Sequence, residues 1–186
     1  GKLINPEVGV YSWYELQDKS TEGKIYLRQA IVGKERVKRK DGFWVETEII
    51  PSVGFPAIYK MLLTGPANDP DNIHQVIVKE GEAPPEQVPL DPEAAAAPAV
   101  AEQRQSGGTT KVTTPQGVIE AEHVVITREG QQVEVWLNDA VRPLGIVKMV
   151  TPEGELLLQR CGVGGCDAES RITPQNAAAQ AGQQPR

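Results

Sequence analysis

Among its 186 residues the chain has two histidines, His74 and His123, and two cysteines, Cys161 and Cys166. So few imidazoles leave little for a nucleophilic triad or a tetrahedral zinc site. His123 has Glu120 and Glu122 beside it, but on a strand neither shares its face, so it reads as a structural imidazole. Asp and Glu total 25, yet no pair stands in the apolar setting that raises one carboxyl pKa for glycoside hydrolysis. Gly162-Val-Gly-Gly165 lacks the Lys-Ser/Thr and the following helix that make a phosphate loop. These residues point to a non-enzymatic protein that needs no metal and no cofactor.

Binding chemistry is better represented. Trp44 and Trp136 head two similar stretches: each Trp precedes Pro by seven residues (Pro51, Pro143), and Lys60-Met61 or Lys148-Met149 follows on the next apolar run. The pattern reads as an internal repeat, although the first copy carries four extra residues between Pro and Lys. Trp44, Trp136, Lys60 and Lys148 are therefore ligand-binding candidates, with the indoles lining a cleft and the lysines meeting an anionic head. Core indoles and outward, solvated lysines are the structural alternative. Lys34, Arg36, Lys38 and Lys40 share one parity, so on a strand they form a cationic face for anionic lipid or an envelope partner, or a guard against edge pairing. Cys161 and Cys166 bound a glycine-rich segment able to close a small ring, which favours a disulfide over two free thiols.

Strands must position these groups. Alternating apolar residues recur at Val8 to Leu16, Ile25 to Ile31, Phe43 to Ile49, Ile58 to Leu63 and Ile73 to Val78, with Asp41-Gly42 as a hairpin turn. A second series follows at Val112, Val118 to Thr127, Val133 to Leu137, Ile146 to Val150 and Leu156 to Gln159. The expectation is one domain over 1–173. Arm one covers 8–81, an Ala/Pro-rich insert 82–108, arm two 109–173, and 174–186 form a disordered tail. Within the insert, Asp91-Pro92-Glu93 is a good helix start, so a short helix or an irregular cover over the sheet is expected.

A net charge of −6 argues against nucleic acid, and no apolar run is long enough for a membrane helix. A chain opening on Gly1 fits export and removal of a leader. Thr114-Pro-Gln-Gly117-Val-Ile-Glu-Ala-Glu-His123 and Trp136-Leu-Asn-Asp139-Ala-Val-Arg-Pro143-Leu-Gly145-Ile-Val-Lys148 resemble a group of uncharacterised exported bacterial proteins. The resemblance spans roughly Ile73 to Ile172. That group is similar in strand pattern to the LolA and LolB periplasmic lipoprotein-carrier superfamily, in which a curved antiparallel sheet wraps a lid and holds acyl chains. The resemblance implies a mainly β half-barrel in the periplasm or cell envelope, holding an apolar or amphiphilic ligand such as a lipid or lipoprotein. The alternative is an envelope protein–protein interaction module with a filled core.

Overall fold

The computed structural model describes residues 2–20, 23–90, 102–128 and 130–172. The strands are β1 (Val10–Asp18), β2 (Lys24–Val37), β3 (Lys40–Ile50), β4 (Ala57–Leu63), β5 (Ile73–Glu80), β6 (Glu86–Val88), β7 (Glu102–Thr114), β8 (Gly117–Arg128), β9 (Gln131–Leu137), β10 (Ile146–Val150) and β11 (Gly154–Val163). All 11 join one antiparallel sheet in the order β6-β5-β4-β3-β2-β1-β11-β10-β9-β8-β7. Two meanders therefore meet edge to edge where β1 pairs with β11, from Val10 opposite Val163 to Asp18 opposite Gly154. The described residues contain no α-helix, only short 3-10 turns at Pro70–Asn72 and Cys166–Ala168.

Period-two burial builds the core. On β1, Val10, Ser12 and Tyr14 are buried and alternate with half-buried Tyr11 and Trp13. Val10 packs with Ile31, Val45 and Leu63, whereas Tyr14 joins a second cluster with Val112, Ala121, Val147 and Leu158. The Tyr14 hydroxyl donates to the Ile146 carbonyl at 3.0 Å. Burial raises the pKa of this phenol far above its ordinary value.

Three expectations change. The sheet is open and not strongly curled, and the half-barrel reduces to a local lean of the β7–β8 hairpin. Gln116 at its tip accepts from the Cys161 N–H at 2.9 Å and donates to the Cys161 carbonyl at 3.2 Å. The insert 82–108 is also partly sheet. Glu86–Val88 pairs with β5, and Glu102–Ser106 pairs with Arg128–Val124 of β8, because an edge strand is held by backbone hydrogen bonds and needs no apolar stripe. The helix start at Asp91-Pro92-Glu93 and the tail 174–186 lie outside the described residues.

The third change is the β2–β3 turn, which falls at Lys38-Arg39, with φ of 47° and 82°, and not at Asp41-Gly42. Both central residues of this two-residue turn take positive φ, and the Arg36 guanidinium holds it by donating to the Arg39 carbonyl at 2.9 Å. Gly42 instead lies buried in β3, where an added Cβ would sit 2.9 Å from Val37 Cγ2 and 3.0 Å from Leu62 Cδ1.

Candidate functional site

Residues directly opposite one another in an antiparallel sheet share a face. His123, Trp136, Lys148 and Leu157 form one such row across β8, β9, β10 and β11, and it continues to Glu15 on β1. Trp13, Arg28 and Glu48 form another row across β1, β2 and β3, and strand parity adds Trp44 and Glu46. Since Trp13 and Glu15 share parity on β1, all three tryptophans of the chain lie on one face. Each carries a cation against its ring: Arg160 on Trp13 at 5.6 Å, Lys60 on Trp44 at 5.5 Å and Lys148 on Trp136 at 5.4 Å from the ring centroid.

At the second meander this face borders a groove of about 320 Å³, lined by Lys111, Val112, Trp136, Lys148, Glu155 and Leu157. The leaning β7 supplies one wall, the β9–β11 row the other. His123 stacks on Trp136 with centroids 4.5 Å apart and planes 14° apart, so with Lys148 nearby the indole is flanked rather than free to stack on a sugar or base. Its Nε1 donates to Thr110 Oγ1 at 3.0 Å. His123 Nε2 lies 2.7 Å from Glu134 Oε2, and Lys148 pairs with Glu155 at 3.1 Å. Lys111 on β7 stands opposite Glu120 and is turned from the face of Thr110 and Trp136, so the groove has an apolar floor and, at its rim, the Lys148–Glu155 pair.

The first meander is closed by its own chain. Residues 166–172 cross its tryptophan face and lock onto a fully buried ion pair, Arg28 with Glu46. Such a pair persists only when its remaining donors and acceptors are satisfied. Arg28 also binds Glu48 at 3.0 Å and donates to the carbonyls of Asp167 at 2.9 Å and Glu169 at 3.2 Å. Glu46 accepts from Ser170 Oγ at 2.6 Å and from the Arg171 N–H at 2.8 Å, while Lys60 donates to Ser170 Oγ at 3.0 Å. At the adjoining corner the Asp167 carboxylate accepts from Trp13 Nε1 at 3.0 Å and pairs with Arg160 at 2.9 Å.

Trp136 and Lys148 thus meet at an open groove and Trp44 and Lys60 meet beside the closing segment, with β2, β1 and β11 between the two pairs. The four basic residues of the β2–β3 hairpin do not form one face. Lys34 and Arg36 pair with Asp41 at 2.9 and 3.1 Å, and the Lys34 hydrogen bond holds the Asp41 carboxyl below its ordinary pKa. Lys38 occupies the turn, and the reversal there puts Lys40 on the opposite parity to Asp41. Cys161 and Cys166 are free thiols. Cys161 is held in the ladder opposite Ser12 and against Gln116, whereas Cys166 begins the exposed turn beyond Gly164 and Gly165, both at positive φ; burial raises the Cys161 pKa. His74 sits 2.7 Å from Thr64 Oγ1. Sequence reasoning missed Arg28, Glu46 and Asp167. The His123–Glu134 contact was missed as well, although a short β8–β9 turn sets the register that places Glu134 two residues from the partner of His123.

A second hollow, of about 620 Å³, lies at one end of the sheet and is lined by Phe55, Pro56, Ala57, Glu80, Gly81 and Ala83. Beside it Val53 and Phe55 are 88% and 78% exposed. Comparison with protein-family models and with curated proteins yields no match. Among solved structures, the chain is similar to a protein of Parabacteroides distasonis provisionally described as a lipoprotein, with 11% identity, a TM-score of 0.44, and coverage of 87% of this chain and 99% of that one.

Proposed function

We propose that this is an exported, non-enzymatic binding protein of the cell envelope that holds an apolar or amphiphilic ligand, a lipid or a lipid-bearing protein, in the groove beside Trp136. The supporting observation is the combination of an apolar floor, Leu157, Val112 and the edge of Trp136, with Lys148 at the rim. Each methylene buried there contributes about 0.8 kcal/mol, and Lys148 at the rim orients a polar head. The likeness to the LolA and LolB carriers belongs to this proposal at the level of a ligand held against one face of an antiparallel sheet. Titration with an environment-sensitive fatty-acid probe tests it. Saturable binding that falls at least tenfold in Leu157→Asp supports the reading, and no binding by the wild type overturns it.

The exposed Val53 and Phe55 favour a second reading, an envelope protein–protein interaction module with no ligand. Phe55→Ser separates the two, because it leaves probe binding intact if the groove is the functional site.

A further inference from the structure

We infer that the tip of the β2–β3 hairpin, Lys38, Arg39 and Lys40, docks this protein end-on against a bilayer surface that carries anionic phospholipid headgroups. This surface is separate from the groove beside Trp136 and stands whether or not that groove holds a ligand. The β2–β3 ladder runs on to Val37 opposite Lys40, whereas β1 pairs with β2 only as far as Ala30 and β4 ends at Leu63, opposite Phe43. At roughly 3.3 Å per residue, the hairpin continues about 20 Å past its last pair with β1.

Its charged side chains divide by what they meet. Asp41 pairs with Lys34 at 2.9 Å and with Arg36 at 3.1 Å. Those two cations also lie along the stretch of β2 that no strand covers among the described residues, where charge keeps an edge from pairing. Lys38 and Arg39 lie beyond the last ladder pair, where there is no edge to guard. Glu35, the carboxylate on the Lys40 side of the ladder, is turned to Trp44 and accepts its indole N–H at 3.2 Å. In the neighbouring β4–β5 turn, Asp69 is taken up by its own cap, accepting from the Asp71 N–H and the Asn72 amide. Lys38, Arg39 and Lys40 are thus exposed and form no ion pair among the described residues.

The backbone agrees. Lys38 and Arg39 hold φ of 47° and 82°, a conformation that Asn-Gly takes at lower cost, so cations stand where the turn itself disfavours them. Residues 34–41 hold five cations and two carboxylates, a net +3 in a chain of net −6. An anionic surface therefore attracts this tip and repels the remainder, which sets the protein on end. Val37, the one apolar side chain of 34–41, packs over Gly42, so the tip lacks the apolar anchor on which a protein interface centres.

Co-sedimentation of the full chain with vesicles of phosphatidylcholine, alone or mixed with phosphatidylglycerol, tests this. The expected result is saturable binding to the mixed vesicles at low salt, little to the neutral ones, and loss of binding near 1 M salt, where the Debye length is about 3 Å. Lys38→Asn with Arg39→Gly should weaken binding about tenfold or more with a thermal midpoint no lower than that of the wild type, and Lys40→Gln, which leaves the turn backbone as it is, about fivefold. Arg104→Gln with Lys111→Gln removes the same charge from exposed positions of β7 and should change binding by less than about twofold. A loss in the β7 variant as large as in the hairpin variant, or equal binding to neutral vesicles, overturns the assignment. No binding to either vesicle also overturns it, and retention on immobilised polyglutamate would then make the tip a site for an acidic protein. Leu157→Asp lies in the groove and should leave vesicle binding unchanged, so failure here does not touch the groove reading.

Discussion

At the level of single residues, the decisive group is Arg28, whose side chain, like that of Glu46, is wholly excluded from solvent. Glu46→Gln leaves the buried guanidinium with Glu48 as its remaining counter-charge and removes one of the two acceptor oxygens that anchor Ser170 and Arg171, so it should destabilise by about 3 kcal/mol. A urea midpoint within error of the wild type would sink this assignment. Replacing both partners, Arg28→Met with Glu46→Leu, should recover part of the loss, because no lone charge then remains buried. Tyr14 gives a pH dependence. Burial raises its folded-state pKa, so its contribution is complete below the unfolded value near 10 and is lost as pH climbs above it. Tyr14→Phe should cost about 1 kcal/mol at pH 8 through the unpaired Ile146 carbonyl, and should flatten the decline between pH 9 and pH 11. Equal alkaline slopes in the two proteins would refute the role given to Tyr14.

Among the elements, the β2–β3 hairpin carries a cost that sequence alone hides. Lys38 and Arg39 both sit at positive φ, where Asn-Gly is the favoured pair, and charge contacts from Arg36 hold them there. Lys38→Asn with Arg39→Gly should therefore stabilise the protein by up to about 1 kcal/mol, read as a higher thermal midpoint. A lower midpoint would mean that the exposed basic tip contributes more than its backbone costs. This element also shows where reading the sequence stops. The strands were legible because Val, Ile and Tyr alternate with polar residues, but Asp41-Gly42 mimics a turn, and its glycine is explained by the close approach of Val37 on β2 and Leu62 on β4. The first half of strand β7 was hidden for the opposite reason. Glu102 to Ser106 carry no apolar signal, since an edge strand can be held by its neighbour's backbone alone. The segment 166–172 was hidden by distance: Arg28 meets Asp167 across 139 positions of sequence, and no local pattern announces such a contact.

For the molecule as a whole, the question is whether two meanders make one cooperative unit or two. The expected common interior takes the form of two clusters, yet β1 belongs to both, giving Val10 to one and Tyr14 to the other. β11 pairs with β1 along its length, then continues into the segment that crosses to Arg28 and Glu46 on β2 and β3. Unfolding either half therefore exposes apolar surface and unpaired backbone in the other, which is the condition for a single transition. Two single-tryptophan proteins report on the halves separately: Trp13→Phe with Trp136→Phe keeps only Trp44, and Trp13→Phe with Trp44→Phe keeps only Trp136. Because Trp13→Phe is common to both, loss of the Asp167 contact weakens them alike, and their urea transitions should have the same slope. Adding Glu46→Gln, which touches only the first meander, should lower both midpoints together, since the Trp136 groove can then persist no longer than the buried pair across the sheet. A Trp136 signal that survives after the Trp44 signal is lost would divide the sheet into independent units at the β1–β11 junction.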